Sequence, residues 1–202
     1  MHPNPRFAWM DEAAMRTFVA RRGFAHICID GPMVAHAPLT VTERGTIHFH
    51  LARSNRVADR LEGMRAILSV SDIDGYISPD WYRSPDQVPT WNYVAVEIEG
   101  AVRALDEAAL VEQLDALSAT FEAALPPKPA WRRDKMTPGR FAAMLKAIRC
   151  FELIPDAWRG TLKLGQNKSD ADRDALAEAL ATQGRTREAD AVRGGTIDGV
   201  LR

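Results

Sequence analysis

The run Phe24–Asn55, FAHICIDGPMVAHAPLTVTERGTIHFHLARSN, decides the fold. Apolar side chains recur at every second position in FAHICID, in MVAHAPLTVT and again in TIHFHLA. Gly31-Pro32 and Glu43-Arg44-Gly45 punctuate them. A period of two, broken by tight-turn residues, predicts three consecutive antiparallel strands. Before this run the period changes. Asp11 is placed to cap a short helix, EAAMRTFVARR, with Met15, Phe18 and Val19 on one face and Gly23 as its stop. After it, Ser54-Asn55 is read as opening a second short helix, RVADRLEG (56–63).

Further along, RAILSVSD (65–72) and GYIS (75–78) are strand-like, and PDWYRSPDQVPTW (79–91) holds too many prolines for regular structure. YVAVEIEGAVRAL (93–105) alternates as one long strand, with Gly100 marking a bend or bulge. Asp106 then caps a helix whose stripe is Leu110, Leu114, Leu117, Phe121 and Leu125, ended by PPKPAW. Thr137-Pro138 is the expected start of the next helix, with Phe141, Met144, Leu145 and Ile148 on its apolar stripe. IRCFELIPDAWRGTLKL (148–164) returns to strand, and Ser169 with Asp172 resembles a capping box in front of DADRDALAEALATQ. The fold class expected is α+β, mainly antiparallel β: about six strands with peripheral helices and a C-terminal helix. Residues 1–183 are expected to form a single domain, and the Gly-rich tail 184–202 to fray. No strand–helix–strand alternation, glycine fingerprint or P-loop is present, which argues against a parallel dinucleotide-binding sheet.

Composition is that of a soluble globular chain, 46% hydrophobic and 26% charged. The N-terminus lacks the basic flank and apolar stretch of a secretory signal, so a cytoplasmic location is the default expectation. Cys28 and Cys150 both lie in apolar strand-like runs without zinc-site spacing and are expected to be buried thiols. The net charge of −1 gives no general attraction to nucleic acid. Charge is uneven locally: 106–125 carries five acidic residues and no basic ones, and 128–149 carries seven basic and one acidic. That basic stretch is either a phosphate-facing surface or the partner of the acidic one. No helix-turn-helix stands out, so direct binding to DNA is not expected.

Three segments offer chemistry. In HLARSNRVADRL (50–61), Arg53, Ser54, Asn55 and Arg56 gather at the expected strand-to-helix junction. Unpaired helix amides there suit a phosphate, or serve ordinary capping. In YISPDWYRSPDQVPTWNY (76–93), two tryptophans and all three tyrosines crowd eighteen residues. Such a loop suits a flat aromatic ligand, a subunit interface, or its own packing. In KLGQNK (163–168), Gln166 and Asn167 could read a ring edge and Lys168 reach a phosphate, or the segment is a plain turn. His48 and His50 share one side of a strand, but no third ligand is spaced for a metal, so none is expected. His36 sits mid-strand, as a core histidine or a ligand contact. No nucleophile triad is apparent.

These pieces together resemble a known family. AHAPL (35–39), FHLARSN (49–55), YISPDWY (76–82), VPTWNY (88–93) and KLGQNK (163–168) stand in the order and spacing of the PaiB-type proteins, described as FMN-binding negative transcriptional regulators. The resemblance covers about residues 1–183. It departs at Gly165, where serine is common, and at Arg53-Ser54, where the pair varies. It implies an FMN-binding split β-barrel, a homodimer, and FMN as cofactor. It places the flavin ring beside Ala35, His36, Pro38 and Leu39, with His50 on the neighbouring strand. Arg53, Ser54 and Asn55 then hold the phosphate, and Trp91, Asn92, Gln166, Asn167 and Lys168 close the site from one subunit or the other. The function implied is a flavin-dependent regulatory or redox protein that represses transcription indirectly. The rivals are a flavin reductase using NADH or NADPH, and a module that senses flavin or haem without turnover.

Overall fold

A computed structural model describes residues 2–195. Its elements are β1 (Ala8–Trp9), α1 (Glu12–Arg22), β2 (Phe24–Ile29), β3 (Met33–Val41), β4 (Ile47–Ala52), β5 (Arg65–Ile77), β6 (Thr90–Ala104), α2 (Glu107–Glu122), α3 (Arg140–Leu145), β7 (Ile148–Lys163), α4 (Asp170–Thr182) and α5 (Thr186–Gly194). The strands form one sheet in the order β1-β7-β4-β3-β2-β5-β6, and a further pairing of β7 with β6 makes a partial ring. The registers of the β1–β7, β2–β3, β2–β5, β3–β4 and β4–β7 pairs are all antiparallel. Alternation sets the faces: Ala25, Ile27 and Ile29 of β2 and Ala35, Ala37 and Leu39 of β3 are buried, while Phe24, His26, Val34 and His36 point outward.

Contacts divide the chain into two compact units, each of discontinuous segments. Of the described residues, one holds 2–22, 70–97 and 158–195; the other holds 23–69 and 98–157. In the first, Ile77 and Tyr82 pack with Leu176, Ala177, Leu180, Ala189 and Val192 of α4 and α5. In the second, Leu110 of α2 meets Leu145 and Cys150, and Phe49 stacks on Phe151 at 5.6 Å.

Three expected caps are in place. Asp11 Oδ1 accepts from Ala14 N–H at 3.0 Å, Asp106 Oδ1 from Ala109 N–H at 2.9 Å, and Ser169 Oγ from Asp172 N–H at 3.2 Å. Other expectations are corrected. No helix forms over 56–63. Instead Asn55, Ala58 and Arg60 donate to the carbonyls of Ala52, Asn55 and Val57, and Asn55 Oδ1 accepts from Val57 N–H at 2.9 Å. These are successive three-residue turns, the local alternative that an Asn side chain offers a backbone. The strand read as 65–72 and 75–78 is continuous, but Ile73 sits at φ 45, where the two halves were separated. Helix α3 starts at Arg140 after a left-handed Gly139, two residues beyond Pro138. On α2 only Leu110 and Gln113 are buried, and Phe121 remains exposed. The tail does not simply fray: 186–194 is α5, with Ala189, Ala191 and Val192 buried. Residues 196–202 of that tail lie outside the described residues. Among the described residues no helix is long and apolar enough to cross a membrane.

Candidate functional site

The expected site residues fall into two sets, one in each unit. The first set is carried by β3, β4 and the turns after β4. Ala35 and Leu39 face the core, so their strand offers a ligand only its outward face. There, His36 lies directly across from His26, with ring centroids 4.9 Å apart, and half-buried Pro38 opposes Phe24. On β4, His50 Nδ1 is 2.8 Å from Gln113 Oε1. Gln113 is 1% exposed and its Nε2 has no partner among the described residues. This glutamine was not legible in the sequence, because its partner lies 63 positions away. Arg53 is fixed at both ends of its stem: its N–H donates to Ala147 O and its Nε to Lys146 O, each at 2.8 Å. Ser54 and Arg56 are exposed beside it. With no helix behind this turn, a phosphate here would be held by the guanidinium groups and the Ser54 hydroxyl rather than by a helix end.

Nearby, the buried Glu152 carboxylate receives Arg103 Nε at 2.5 Å and lies 3.4 Å from His48 Nε2. Burial raises its pKa, but hydrogen bonds from Thr46, Arg103 and His48 outweigh burial and the carboxyl titrates below its ordinary range. Burial pushes the Cys150 thiol up to about 11, which makes it an inert core group. The basic stretch meets the acidic one: Lys128 pairs with Glu122, and Arg133 with Asp115 at 3.3 Å. A groove of about 500 Å³ lies between α2 and 130–134, lined by Asp115, Ser118, Trp131 and Arg133. None of the expected site residues lines it.

The second set belongs to the start of β6 and the turn after β7. Trp91 is exposed, edge-on to Tyr76 at 6.4 Å. Asn92 is the opposite case, 4% exposed with its Nδ2 unpartnered among the described residues. Gln166 is occupied in shaping its own turn: Oε1 accepts from Leu164 N–H at 2.8 Å and Nε2 donates to Leu162 O. Asn167 is exposed. Lys168 Nζ donates to Gln87 Oε1 at 2.5 Å and lies 4.8 Å from the centre of the Tyr82 ring. Lys163, not singled out in the sequence, donates to Thr90 Oγ1 at 2.6 Å.

The aromatic loop is tied down by a residue read only as a cap. Asp172, 3% exposed, accepts from Arg83 N–H and Ser84 N–H at 2.9 Å each, and from Ser84 Oγ at 2.7 Å. Those bonds, led by the Ser84 hydroxyl, lower its pKa to about 2. Of the loop's aromatics, Tyr82 is buried and Trp81 packs on the same cluster, so part of the loop serves its own packing.

A family model described as "Putative FMN-binding domain" matches residues 1–155. The protease synthase and sporulation protein PAI 2 of Bacillus subtilis is 28% identical over 156 residues, spanning 75% of this chain and 74% of that protein. Two solved structures share the fold, a flavin-binding split barrel. One is the FAD and heme binding protein of Mycobacterium smegmatis, with TM-score 0.55, 17% identity, and coverage of 77% of this chain and 73% of that one. The other is the flavocytochrome Anf3 of Azotobacter vinelandii, with TM-score 0.57, 19% identity, and coverage of 80% and 72%.

Proposed function

The chain belongs to the FMN-binding domain family, and from that membership we propose that it is a flavin-dependent regulatory or redox protein whose effect on transcription is indirect. Bound FMN would supply a ring that takes up and returns electrons. The observation that carries the reading is Asn92. A buried amide nitrogen without an acceptor costs about 1–3 kcal/mol, so Asn92 Nδ2 calls for a partner from outside the described residues, and in this reading the flavin supplies it. A flavin ring edge offers carbonyl and ring-nitrogen acceptors of that kind.

The other residues then have separable tasks. Arg53, aligned by the carbonyls of Lys146 and Ala147, holds the phosphate with Ser54 and Asn55. His36 and Pro38 present the outward face of β3 to the ring, and Ala35 and Leu39 lock that strand into the core. Gln113 orients the imidazole of His50. Trp91 offers a flat exposed surface on the strand that carries Asn92. Exposed Tyr76, Val88 and Trp91 are the surface a second copy would cover in a homodimer. Light scattering should therefore give a dimer mass, with an interface above about 1,200 Å².

Absorbance of the purified protein tests the reading. Flavin bands should copurify or appear on loading with FMN, and should bleach under NADH or NADPH without oxygen. A folded protein that takes up no FMN would overturn it; one that takes up FMN but is reduced by neither donor would be a sensor without turnover.

A further inference from the structure

Gln113 stands where the stripe of α2 calls for an apolar side chain. Leu110, Leu114 and Leu117 recur around it at helical spacing, and Leu110 and Leu114 pack on the cluster of Leu145 and Cys150. Burying an amide there costs free energy that a leucine or methionine would not. Its side-chain hydrogen bond among the described residues goes to His50, Oε1 lying 2.8 Å from Nδ1, and its Nε2 has none. A carbonyl oxygen accepts and cannot donate, so the proton of that bond belongs to Nδ1. A neutral imidazole carries one N–H, which leaves His50 Nε2 as a bare lone pair. That nitrogen has no partner among the described residues. His48, two residues back on the same face of β4, is held the other way. Its Nε2 lies 3.4 Å from the Glu152 carboxylate, which puts its proton on Nε2. Cys150, directly across from His50 on β7, stays neutral with its thiol pushed up to about 11. The charges on this face, Glu152 and Arg103, are paired with each other.

We propose that Gln113 is a positioning residue that fixes His50 with its proton on Nδ1, so that Nε2 accepts a hydrogen bond from an N–H or O–H of the bound group. The flavin ring carries an N–H of that kind between its two carbonyls. That match rests on the flavin reading; the placement of the proton does not.

Long-range ¹H–¹⁵N NMR of the full chain tells a protonated ring nitrogen from a bare one, at about two pH units above the ordinary histidine value so that the imidazoles are neutral. Wild type without FMN should show opposite tautomers on one strand, Nδ1–H for His50 and Nε2–H for His48. Gln113→Met keeps the length of the side chain without its polar atoms. It should move His50 to the Nε2–H form that free histidine prefers and leave His48 unchanged. Saturation with FMN should shift the Nε2 resonance of His50 toward that of a nitrogen accepting a hydrogen bond, and should not shift that of His48. An Nε2–H tautomer for His50 in wild type would overturn the proposal, and that measurement needs no variant to fold. So would an Nδ1–H tautomer that survives Gln113→Met, or an Nε2 resonance that stays put when FMN binds. If the protein takes up no FMN, the flavin reading fails, and the spectra of the FMN-free chain still decide where the proton lies.

Discussion

Gly100 offers a perturbation whose size can be worked out before it is made. A methyl group added there would lie 2.1 Å from the backbone oxygen of Ile154, 2.8 Å from its carbonyl carbon and 3.0 Å from Leu153 Cδ2. An ordinary carbon–oxygen contact between strands is about 3.3 Å or more, so β6 and β7 would have to part by about 1 Å. Neither nearest atom is a side chain that can swing aside. Overpacking of this kind costs about 1–3 kcal/mol, and the rigid backbone puts it at the upper end. Loss of one cross-strand hydrogen bond adds about 1 kcal/mol. Gly100→Ala should therefore destabilise by about 3–4 kcal/mol, which for a chain of this length lowers Tm by roughly 10 °C. Gly31→Ala is the comparison: its φ is +83 with no atom within 4 Å, so only backbone strain of about 1–2 kcal/mol applies. Urea denaturation followed by circular dichroism reads both. If Gly100→Ala stays within about 1 kcal/mol of wild type, or costs less than Gly31→Ala, the close approach of the two strands is not what requires glycine.

Arg53→Ala should weaken FMN by about 1.5–3 kcal/mol and leave riboflavin affinity unchanged, since only the phosphate differs; equal losses for both ligands in a fluorescence titration would remove Arg53 from the phosphate. Asp172 governs acid stability. Its folded pKa, about 2, lies below the ordinary carboxylate value of about 3.9, so its stabilisation is complete above the latter and lost as pH falls toward the former. Asp172→Asn should flatten the stability curve between those two pH values and lower stability at pH 7, as melting across a pH series would show. Specific DNA binding at physiological salt is not expected, because Lys128 and Arg133 already face carboxylates of α2. Saturable anisotropy on one promoter fragment in excess competitor, lost on reversing Lys135, Arg140 and Lys146, would place a contact there after all.

The strands were legible because a two-residue period leaves little freedom of interpretation, and the Asp11, Asp106 and Ser169 caps because their bonds are local. The segment after β4 misled for a physical reason. Val57, Ala58 and Leu61 are buried at helix-like spacing, but consecutive turns bury the same three positions. The candidate site was legible only where a residue's chemistry is its own. Arg53 and Asn92 carry their chemistry on their own side chains. Gln113, Lys163 and the loop-holding role of Asp172 depend on partners 63, 73 and 88 positions away, and no local pattern announces such a partner.

The two compact units alternate along the chain in five segments, changing over inside β5, β6 and β7. No single cleavage, truncation or gene fusion point can release either one whole. A nascent chain must emerge as far as residue 157 before the second unit has both its segments, and further still before the first has all three. A single crossover between genes could not exchange one unit for a foreign counterpart and leave the other intact.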